Sequence, residues 1–282
     1  MNVYIESIIK LNEDVEFSYT FDKYSIIGAA DGHGGNGAAV TCKTHIRSIL
    51  EKHLANSSDM KFVLQQVFSE IHSICKNLSC QSGCTLTIVI IDNETGNYTC
   101  GNVGDSHAMH IKSNSFMWIT VSHRLQDNPI EREKLKGKVS YIEIYGKPSG
   151  PPRLFPGGLS CSRNIGDGDC EYVSCEPSLY SDHLENMDAI IICTDGIWDI
   201  CNFKKIVNIV RDSYNPEFVC RLANKSALSD DATVVIATRQ KLKTSLHTNL
   251  FKFFSRSGSN SSMSSEENES IVVKVPIPLE HI

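Results

Sequence analysis

Two strand pairs joined by short turns follow one another in the middle of the chain, between residues 85 and 121. Residues 85–92 and 98–103 flank the turn NETGN, and residues 108–111 and 116–121 flank KSNS. Apolar, β-branched runs separated by a few turn residues are typical of antiparallel hairpins. Helical patterns lie on both sides of them, which favours layers of antiparallel sheet covered by helices over a repeated strand–helix–strand unit.

The helical patterns fall into two groups. Apolar residues recur at the helical period in residues 37–54 and 59–78, and helices are also predicted at 203–211 and 216–225. A further helix begins at Asn128, the expected N-cap, with Pro129 at the first helical position and Glu131 two residues later to complete a capping box. Buried strands are predicted at residues 24–29, 188–193 and 233–238.

Charge and composition exclude several functional classes. The 282 residues are 41% apolar and 21% charged, with a formal net charge of −6, so a core of ordinary size is expected. An acidic chain argues against a nucleic-acid binder or an anionic-membrane binder, because both need a basic face. The longest apolar runs, LTIVII and AIIIC, are far too short for a membrane helix. A monomer without membrane or nucleic-acid partners is expected.

The 11 cysteines are expected to be reduced thiols. Their number is odd, CxxC is absent, and Cys80 with Cys84 has no second pair at zinc-site spacing. The N-terminal sequence shows no signal-peptide pattern. These features predict a reducing compartment, the cytoplasm or the nucleus.

Composition changes near residue 240. Residues 255–270 read SRSGSNSSMSSEENES, which carries too little apolar surface to offset the entropy of ordering. We therefore predict one domain over residues 1–240 and a low-complexity, largely disordered tail over 241–282. The last segment, IVVKVPIPLEHI, is expected to be a frayed end, although it could also pair with a sheet edge.

Three aspartates stand beside apolar strand runs. They lie in IIGAADGHGG (Asp31), AIIICTDGIWD (Asp195) and ALSDDATVVIA (Asp230 or Asp231). Carboxylates on rigid elements that converge from distant segments would repel one another, and a divalent cation would relieve that repulsion. All-oxygen ligand sets suit Mg²⁺ or Mn²⁺ and not zinc.

The order of the motifs resembles that of the metal-dependent Ser/Thr protein phosphatases of the protein phosphatase 2C (PPM) family. The matching segments cover about residues 5–240 and are NED at 12–14, DGHGG at 31–35, GCT at 83–85, NVGDSHA at 102–108, SHRLQDNPIERE at 122–133, LSCSRNIGD at 159–167, TDGIWD at 194–199 and SDDATVV at 229–235. The resemblance implies an α+β fold, a four-layer α-β-β-α sandwich of two antiparallel sheets flanked by helices. It also implies hydrolysis of phosphoserine and phosphothreonine on proteins.

The resemblance also implies a role for individual residues. Asp31 would bridge two Mg²⁺ or Mn²⁺ ions, the Gly32 carbonyl would bind one of them, and Asp195 and Asp230 would bind the other. Water activated by the two metals would attack phosphorus in line, and His33 would protonate the departing Ser or Thr oxygen. Four further residues would support the site. Glu13 would hold metal-bound water and Asp14 would support that shell of water, whereas Arg163 and Asp167 would form a buried ion pair or a hydrogen-bonded support behind the site.

Three positions depart from the family pattern. Ile9 and Lys10 stand where many members carry an arginine that clamps the substrate phosphate, and Lys10 offers a point charge instead of a fork. Ser122 stands where an aspartate usually helps to hold a third metal ion, which weakens the case for that ion, although Asp127 could fill the place. His107 replaces the usual arginine of GDSRA.

These departures leave a second function open. The chain could be a pseudophosphatase, with the same fold used as a binding or regulatory module. A metal-dependent hydrolase of nucleotides or nucleic acid is a third hypothesis, disfavoured by the acidic composition.

Overall fold

Two five-stranded antiparallel sheets stacked face to face form the centre of the fold in the computed structural model, which describes residues 1–78, 81–224 and 230–242. In chain order the strands are β1 (Asn2–Ile8), β2 (Val15–Phe21), β3 (Tyr24–Ala30), β4 (Gly32–His33), β5 (Gly83–Cys84), β6 (Leu86–Asp92), β7 (Asn97–Val103), β8 (His107–Ile111), β9 (Phe116–Trp118), β10 (Val139–Ile144), β11 (Lys147–Leu154), β12 (Ile165–Gly166), β13 (Ser178–His183), β14 (Ala189–Cys193) and β15 (Ala232–Thr238). The helices are α1 (Gly37–Asn56), α2 (Met60–Asn77), α3 (Pro129–Lys134), α4 (Asp195–Trp198), α5 (Phe203–Ser213) and α6 (Pro216–Asn224).

The sheets have the strand orders β1-β15-β14-β8-β9 and β13-β7-β6-β3-β2. Strand β15, ATVVIAT, is apolar except for its two threonines. All seven residues are buried, and the two faces of the strand enter different cores. Val234 and Ile236 face the helices, whereas Val235 and Ala237 pack against the other sheet. This alternation follows from the two-residue period of a strand that is covered on both faces.

Helices cover both outer faces of the stacked sheets. On one side, Ile46 of α1 and Phe68 of α2 pack over the sheet that contains β3 and β6. On the other side, Ile206 of α5 and Val219 of α6 pack over the sheet that contains β14 and β15. The predicted four-layer sandwich is therefore confirmed. No helix in the described part of the chain is long and apolar enough to cross a membrane.

The predicted buried elements agree with the structure to within a few residues, whereas several exposed ones went unassigned. The unassigned strands of six or more residues are β1, β2, β13 and the hairpin β10–β11, and the hairpin carries little apolar alternation because most of it faces solvent. The two-residue strands β4, β5 and β12 were also unassigned. The second predicted hairpin has a shorter strand, β9, which ends at Trp118. Val40 was predicted on the apolar side of α1, but it is 46% exposed.

The chain directly after β15 is held by the start of β1, and the domain boundary at residue 240 stays a prediction. The Asn2 side chain donates hydrogen bonds to the backbone carbonyls of Arg239 and Gln240, which fixes the chain just after β15. Residues 243–282, which contain nearly all of the predicted tail, lie outside the described residues.

We expect a chain that ends at Phe254 to melt within about 2 °C of the full chain. A shift of that size corresponds to a change of less than about 1 kcal/mol in the free energy of unfolding. The serine-rich composition offers almost no core, so basal activity should also be unchanged. Differential scanning calorimetry of both chains checks this. A large fall in melting temperature would instead show that the segments after residue 254 are structural.

Candidate functional site

Carboxylates from four distant segments meet at one end of the sandwich. Asp14 precedes β2, Asp31 follows β3, Asp195 begins α4 directly after β14, and Asp230 precedes β15. Antiparallel pairing brings the start of β2 beside the end of β3, and the end of β14 beside the start of β15. The register thus places two acidic residues at the end of each sheet, and hydrogen bonds from Thr194 to Asp14 and from the Asp14 N–H to Asp231 join the two sheet ends.

Asp31 and Asp195 interact directly. The Asp195 side chain is close enough to Asp31 to raise the pKa of Asp31 through hydrogen bonding as well as through its charge. Burial raises the pKa of Asp31 well above its usual value, and the charges of Asp195, Asp14 and Asp105 raise it further. Burial likewise raises the pKa of Asp195 to about 6. The pair lies in an environment with an excess of negative charge, which a bound cation would relieve.

Asp14 adds a third carboxyl group to this edge. The Thr194 hydroxyl donates a hydrogen bond to Asp14 Oδ2 at 2.8 Å. Burial raises the pKa of Asp14 to about 7, the hydrogen bonds from Thr194 and Thr233 oppose the rise, and the charges of Asp231 and Asp195 add to it. A positive charge nearby would stabilise the ionised form of Asp14 and lower its pKa.

Asp231 positions the loop that carries Glu13 and Asp14. Its carboxylate accepts hydrogen bonds from five successive backbone N–H groups, those of residues 10–14, at 2.6 to 3.2 Å for residues 11–14. Burial would raise the pKa of Asp231, but these N–H groups outweigh it and lower the pKa to about 2. The neighbouring Asp230 accepts only the adjacent Asp231 N–H at 2.9 Å among the hydrogen bonds seen. This division of roles agrees with the assignment of Asp230, and not Asp231, as the candidate ligand.

We expect Asp231→Ala to lower the free energy of unfolding by about 2–3 kcal/mol, because the loop loses its charged acceptor and its N–H groups lose their partners. Asp231→Asn keeps one acceptor oxygen and should lose less. Urea denaturation of both variants measures the two losses. Equal and negligible losses would contradict the role of Asp231 as the anchor of this loop.

The glycine-rich segment lies against the same loop. Gly32 pairs with Cys84 across β4 and β5, and a Cβ atom on Gly32 would lie 2.7 Å from the Glu13 carbonyl oxygen. Any larger residue would therefore push the two segments apart. The Glu13 side chain accepts a hydrogen bond from the Gly35 N–H at 2.7 Å. Glu13 is thus placed beside the candidate metal ligands, and its predicted contact with metal-bound water stays a prediction.

His33 is paired with Asp167. His33 Nε2 lies 2.8 Å from Asp167 Oδ1, and the Asp167 side chain is only 3% exposed. Burial lowers the pKa of His33, but the hydrogen bond and charge of Asp167 outweigh it, so the pKa is raised overall. Asp167 packs closely on Gly83, where a Cβ atom would lie 2.2 Å from the carboxylate. The glycine of the GCT motif therefore makes room for the partner of His33.

Arg163 is not the partner of Asp167, so the ion-pair alternative for these two residues is wrong. Arg163 instead donates to Glu131, with Nε at 3.0 Å from Oε2 and Nη2 at 2.7 Å from Oε1. Ser162 also donates to Glu131 at 2.7 Å. Glu131 does not complete a capping box with its side chain, although its N–H is capped by Asn128. Burial would raise the pKa of Glu131, but Arg163 and Ser162 lower it to about 2.

We expect Glu131→Ala to lower the free energy of unfolding by about 3 kcal/mol, because it leaves the guanidinium of Arg163 buried without its carboxylate. The matched control is Glu133→Ala on the same helix, which removes an exposed surface pair with Lys136 and should change stability by less than about 1 kcal/mol. Thermal denaturation of both variants makes the comparison. Similar effects of the two changes would contradict this assignment.

Arg124 joins three acidic residues beside the candidate metal ligands, and sequence reasoning missed it. Its guanidinium bonds Asp105 through Nε, Asp195 through Nη2 at 2.6 Å, and Asp199 through both terminal nitrogens at 2.8 Å. Ser122, where the family pattern has an aspartate, accepts a hydrogen bond from the Arg124 backbone N–H at 3.3 Å. Asp127 is exposed and lies in the turn that follows Arg124.

The two histidines near this segment differ in exposure: His123 is fully buried, whereas His107 is half-buried. Burial lowers the pKa of His107 to about 4, and its ring is 3.0 Å from the Thr120 hydroxyl. Burial also lowers the pKa of His123 to about 3; its ring contacts the Gly104 carbonyl and the Ser178 hydroxyl. His107 therefore adds no fixed charge where the family pattern has an arginine.

The acidic side chains are gathered but not arranged as a finished metal site. Within residues 1–78, 81–224 and 230–242, no three His, Cys, Asp or Glu side chains are placed so that they could hold a metal ion together. Asp195 is engaged by Arg124 and Asp31 instead. Lys10 is exposed in the loop held by Asp231, and its contact with a substrate phosphate stays a prediction.

Comparisons with known sequences agree with the motif order. The sequence profile of the family described as "Protein phosphatase 2C" matches residues 10–236. The chain is 32% identical to "Probable protein phosphatase 2C 5" of Arabidopsis thaliana over 76% of its own length and 54% of that protein. It is 31% identical to "Probable protein phosphatase 2C 33" of Oryza sativa subsp. japonica over 76% of its own length and 53% of that protein. The chain thus spans about half the length of these curated relatives.

Solved structures share the fold. A Caenorhabditis elegans protein described as sex determining superposes with a TM-score of 0.73 at 19% identity, covering 85% of this chain and 65% of that one. The serine-threonine phosphatase 2C of Toxoplasma gondii superposes with a TM-score of 0.66 at 17% identity, covering 83% of this chain and 93% of that one. At these identities the likeness concerns the architecture.

Proposed function

The chain belongs to the protein phosphatase 2C family, and from that premise we propose that it hydrolyses phosphoserine and phosphothreonine on proteins with two Mg²⁺ or Mn²⁺ ions. One feature carries the proposal: acidic residues of distant segments come together here, and burial together with their mutual repulsion raises the pKa values of Asp14, Asp31 and Asp195. Such an excess of buried carboxylate fits hard divalent cations, which prefer oxygen ligands.

The proposed metal ligands are the side chains of Asp31, Asp195 and Asp230 and the carbonyl of Gly32, with Glu13 and Asp14 next to them. When bound, the two cations supply an activated water and neutralise charge on the phosphoryl oxygens. The chain's own contribution is to hold the ligands on strand ends. Asp231 fixes one of these segments, and the close approach of Gly32 to Glu13 fixes another.

His33 is proposed to protonate the leaving oxygen of serine or threonine. Its raised pKa keeps a proton on the ring nearer to neutral pH than an unpaired histidine would. Asp167 engages Nε2, so Nδ1 is the nitrogen that would donate. The exposed Lys10 is the proposed contact for the substrate phosphate, as a single point charge without the bidentate geometry of arginine.

The proposed setting of the protein follows from its cysteines. The ten cysteines that lie in the described residues form no disulfide with one another, and eight of them are buried. Buried thiols behave as small apolar residues, which suits a reducing compartment such as the cytoplasm or nucleus. A monomer that acts on a phosphoprotein remains the expected form.

Turnover of a phosphothreonine peptide and of p-nitrophenyl phosphate, with Mn²⁺, Mg²⁺ or EDTA, tests the proposed function. A phosphatase turns over both substrates with either metal and neither with EDTA. Binding of the phosphopeptide without turnover would support the pseudophosphatase alternative, which the departures at Lys10 and Ser122 favour. Hydrolysis of a nucleotide in preference to the phosphopeptide would instead support a nucleotide hydrolase.

A further inference from the structure

The backbone of Arg124 is held firmly beside the candidate site. Its neighbours His123 and Leu125 are fully buried, and its backbone forms an isolated β-bridge with Cys161. The Arg124 carbonyl also accepts hydrogen bonds from the N–H groups of Asp127 and Asn128. The backbone is therefore fixed on both sides of Arg124, so the position from which its side chain extends is defined.

The three carboxylates around this guanidinium come from different segments. Asp105 lies between β7 and β8, Asp195 begins α4, and Asp199 follows α4. The Arg124 and Asp195 side chains are 25% and 23% exposed, and Asp105 is more buried at 9%. Three acidic groups this close would repel one another without a cation, and Arg124 supplies one positive charge with a planar, five-donor geometry that matches carboxylates.

We propose that Arg124 is a permanent cation of this site, which offsets part of the charge of Asp105, Asp195 and the half-exposed Asp199 beside Ser122, the position where the family pattern has an aspartate for a third metal ion. The site is then complete with two divalent ions. This inference rests on the proposed function, because it assumes that metals bind beside Asp31 and Asp195. It also explains the departure at Ser122. The chain lacks the usual carboxylate at this position and carries the cationic Arg124 two residues later.

The first test counts the Mn²⁺ ions bound by the full chain in equilibrium dialysis up to about the millimolar range. The wild type should bind two ions, and Arg124→Gln should bind a third, weaker one, because Asp105 and Asp199, which are not proposed ligands of the first two ions, then lose their cationic partner. The double variant Arg124→Gln/Asp199→Asn should return to two. A wild type that binds three ions, or an Arg124→Gln variant that binds no more than the wild type, overturns the inference.

The second test needs no metal and uses melting temperatures in EDTA. Arg124→Gln should lower the melting temperature, and adding Asp199→Asn should restore part of the loss by removing one repelling charge. Arg47→Gln, which removes the same charge from an exposed arginine of α1, should change little. If Arg124→Gln does not fold, Asp199→Asn alone still decides: it should leave the Mn²⁺ count at two, and a lower count than in the wild type overturns the inference.

The two tests separate this inference from the proposed function. A wild type that binds no Mn²⁺ overturns the proposed function. The melting temperatures in EDTA still report whether Arg124 offsets the repulsion among the three carboxylates that it contacts. A melting temperature of Arg124→Gln equal to that of the wild type overturns the inference even if the chain is an active phosphatase.

Discussion

We expect Asp31→Ala to lower metal-dependent phosphatase turnover by roughly 10³-fold or more, because it removes the carboxylate proposed to join both cations. The protein should stay folded. The pKa of Asp31 is raised by burial and by its acidic neighbours, so its charge destabilises the metal-free fold. The melting temperature in EDTA should therefore hold or rise, while turnover with Mn²⁺ falls.

The matched control for this variant is Asp212→Ala, which removes an exposed aspartate of α5. It should leave both turnover and melting temperature unchanged. Asp195→Ala should abolish turnover as well, but it also removes a partner of Arg124, so Asp31→Ala separates catalysis from stability more cleanly. A large fall in the metal-free melting temperature of Asp31→Ala would show that Asp31 is a structural turn residue.

His33→Ala should lower the turnover of a phosphoserine peptide by about 10²–10⁴-fold, the usual contribution of a general acid. The loss for p-nitrophenyl phosphate should be much smaller, because nitrophenolate leaves without a proton and a serine alkoxide does not. The ratio of the two losses is the measurement. His183→Ala, which removes an exposed histidine of β13, should affect neither substrate.

Equal losses on both substrates would contradict the acid role of His33 and favour a role in binding the phosphate. Asp167→Asn gives an independent check, because it removes the charge that raises the pKa of His33. Its pH profile for the phosphoserine peptide should lose activity at a lower pH than the wild type, since the His33 proton is then held less tightly.

The buried strands and the acidic residues beside them could be predicted from the sequence because their signals are local. Strand β15 is apolar at five of its seven positions, and Asp31 directly follows the apolar run of β3. A strand of this kind is buried on both faces wherever it sits in the fold, and a residue at its end lies at a sheet edge. Both statements hold without knowledge of any partner.

The partners of the charged side chains could not be predicted, because no local pattern encodes them. Arg124 and Asp199 are 75 residues apart in the chain, and His33 and Asp167 are 134 apart. Glu131 fitted a capping box by spacing, yet a buried arginine 32 residues away competes for its carboxylate. Only the tertiary arrangement decides such a competition, because a charged hydrogen bond to a buried group outweighs an exposed cap.

The anchoring of residues 10–14 by Asp231 has a consequence for biosynthesis. Strand β1 pairs with β15, and the N–H groups of the loop after β1 donate hydrogen bonds to the Asp231 carboxylate, which lies 217 to 221 residues further along the chain. Domains emerge from the ribosome beginning at the N-terminus. The nascent chain therefore carries Glu13 and Asp14 without the group that orients them until Asp231 has been added and β15 can pair with β1. The candidate metal site can form only at that stage.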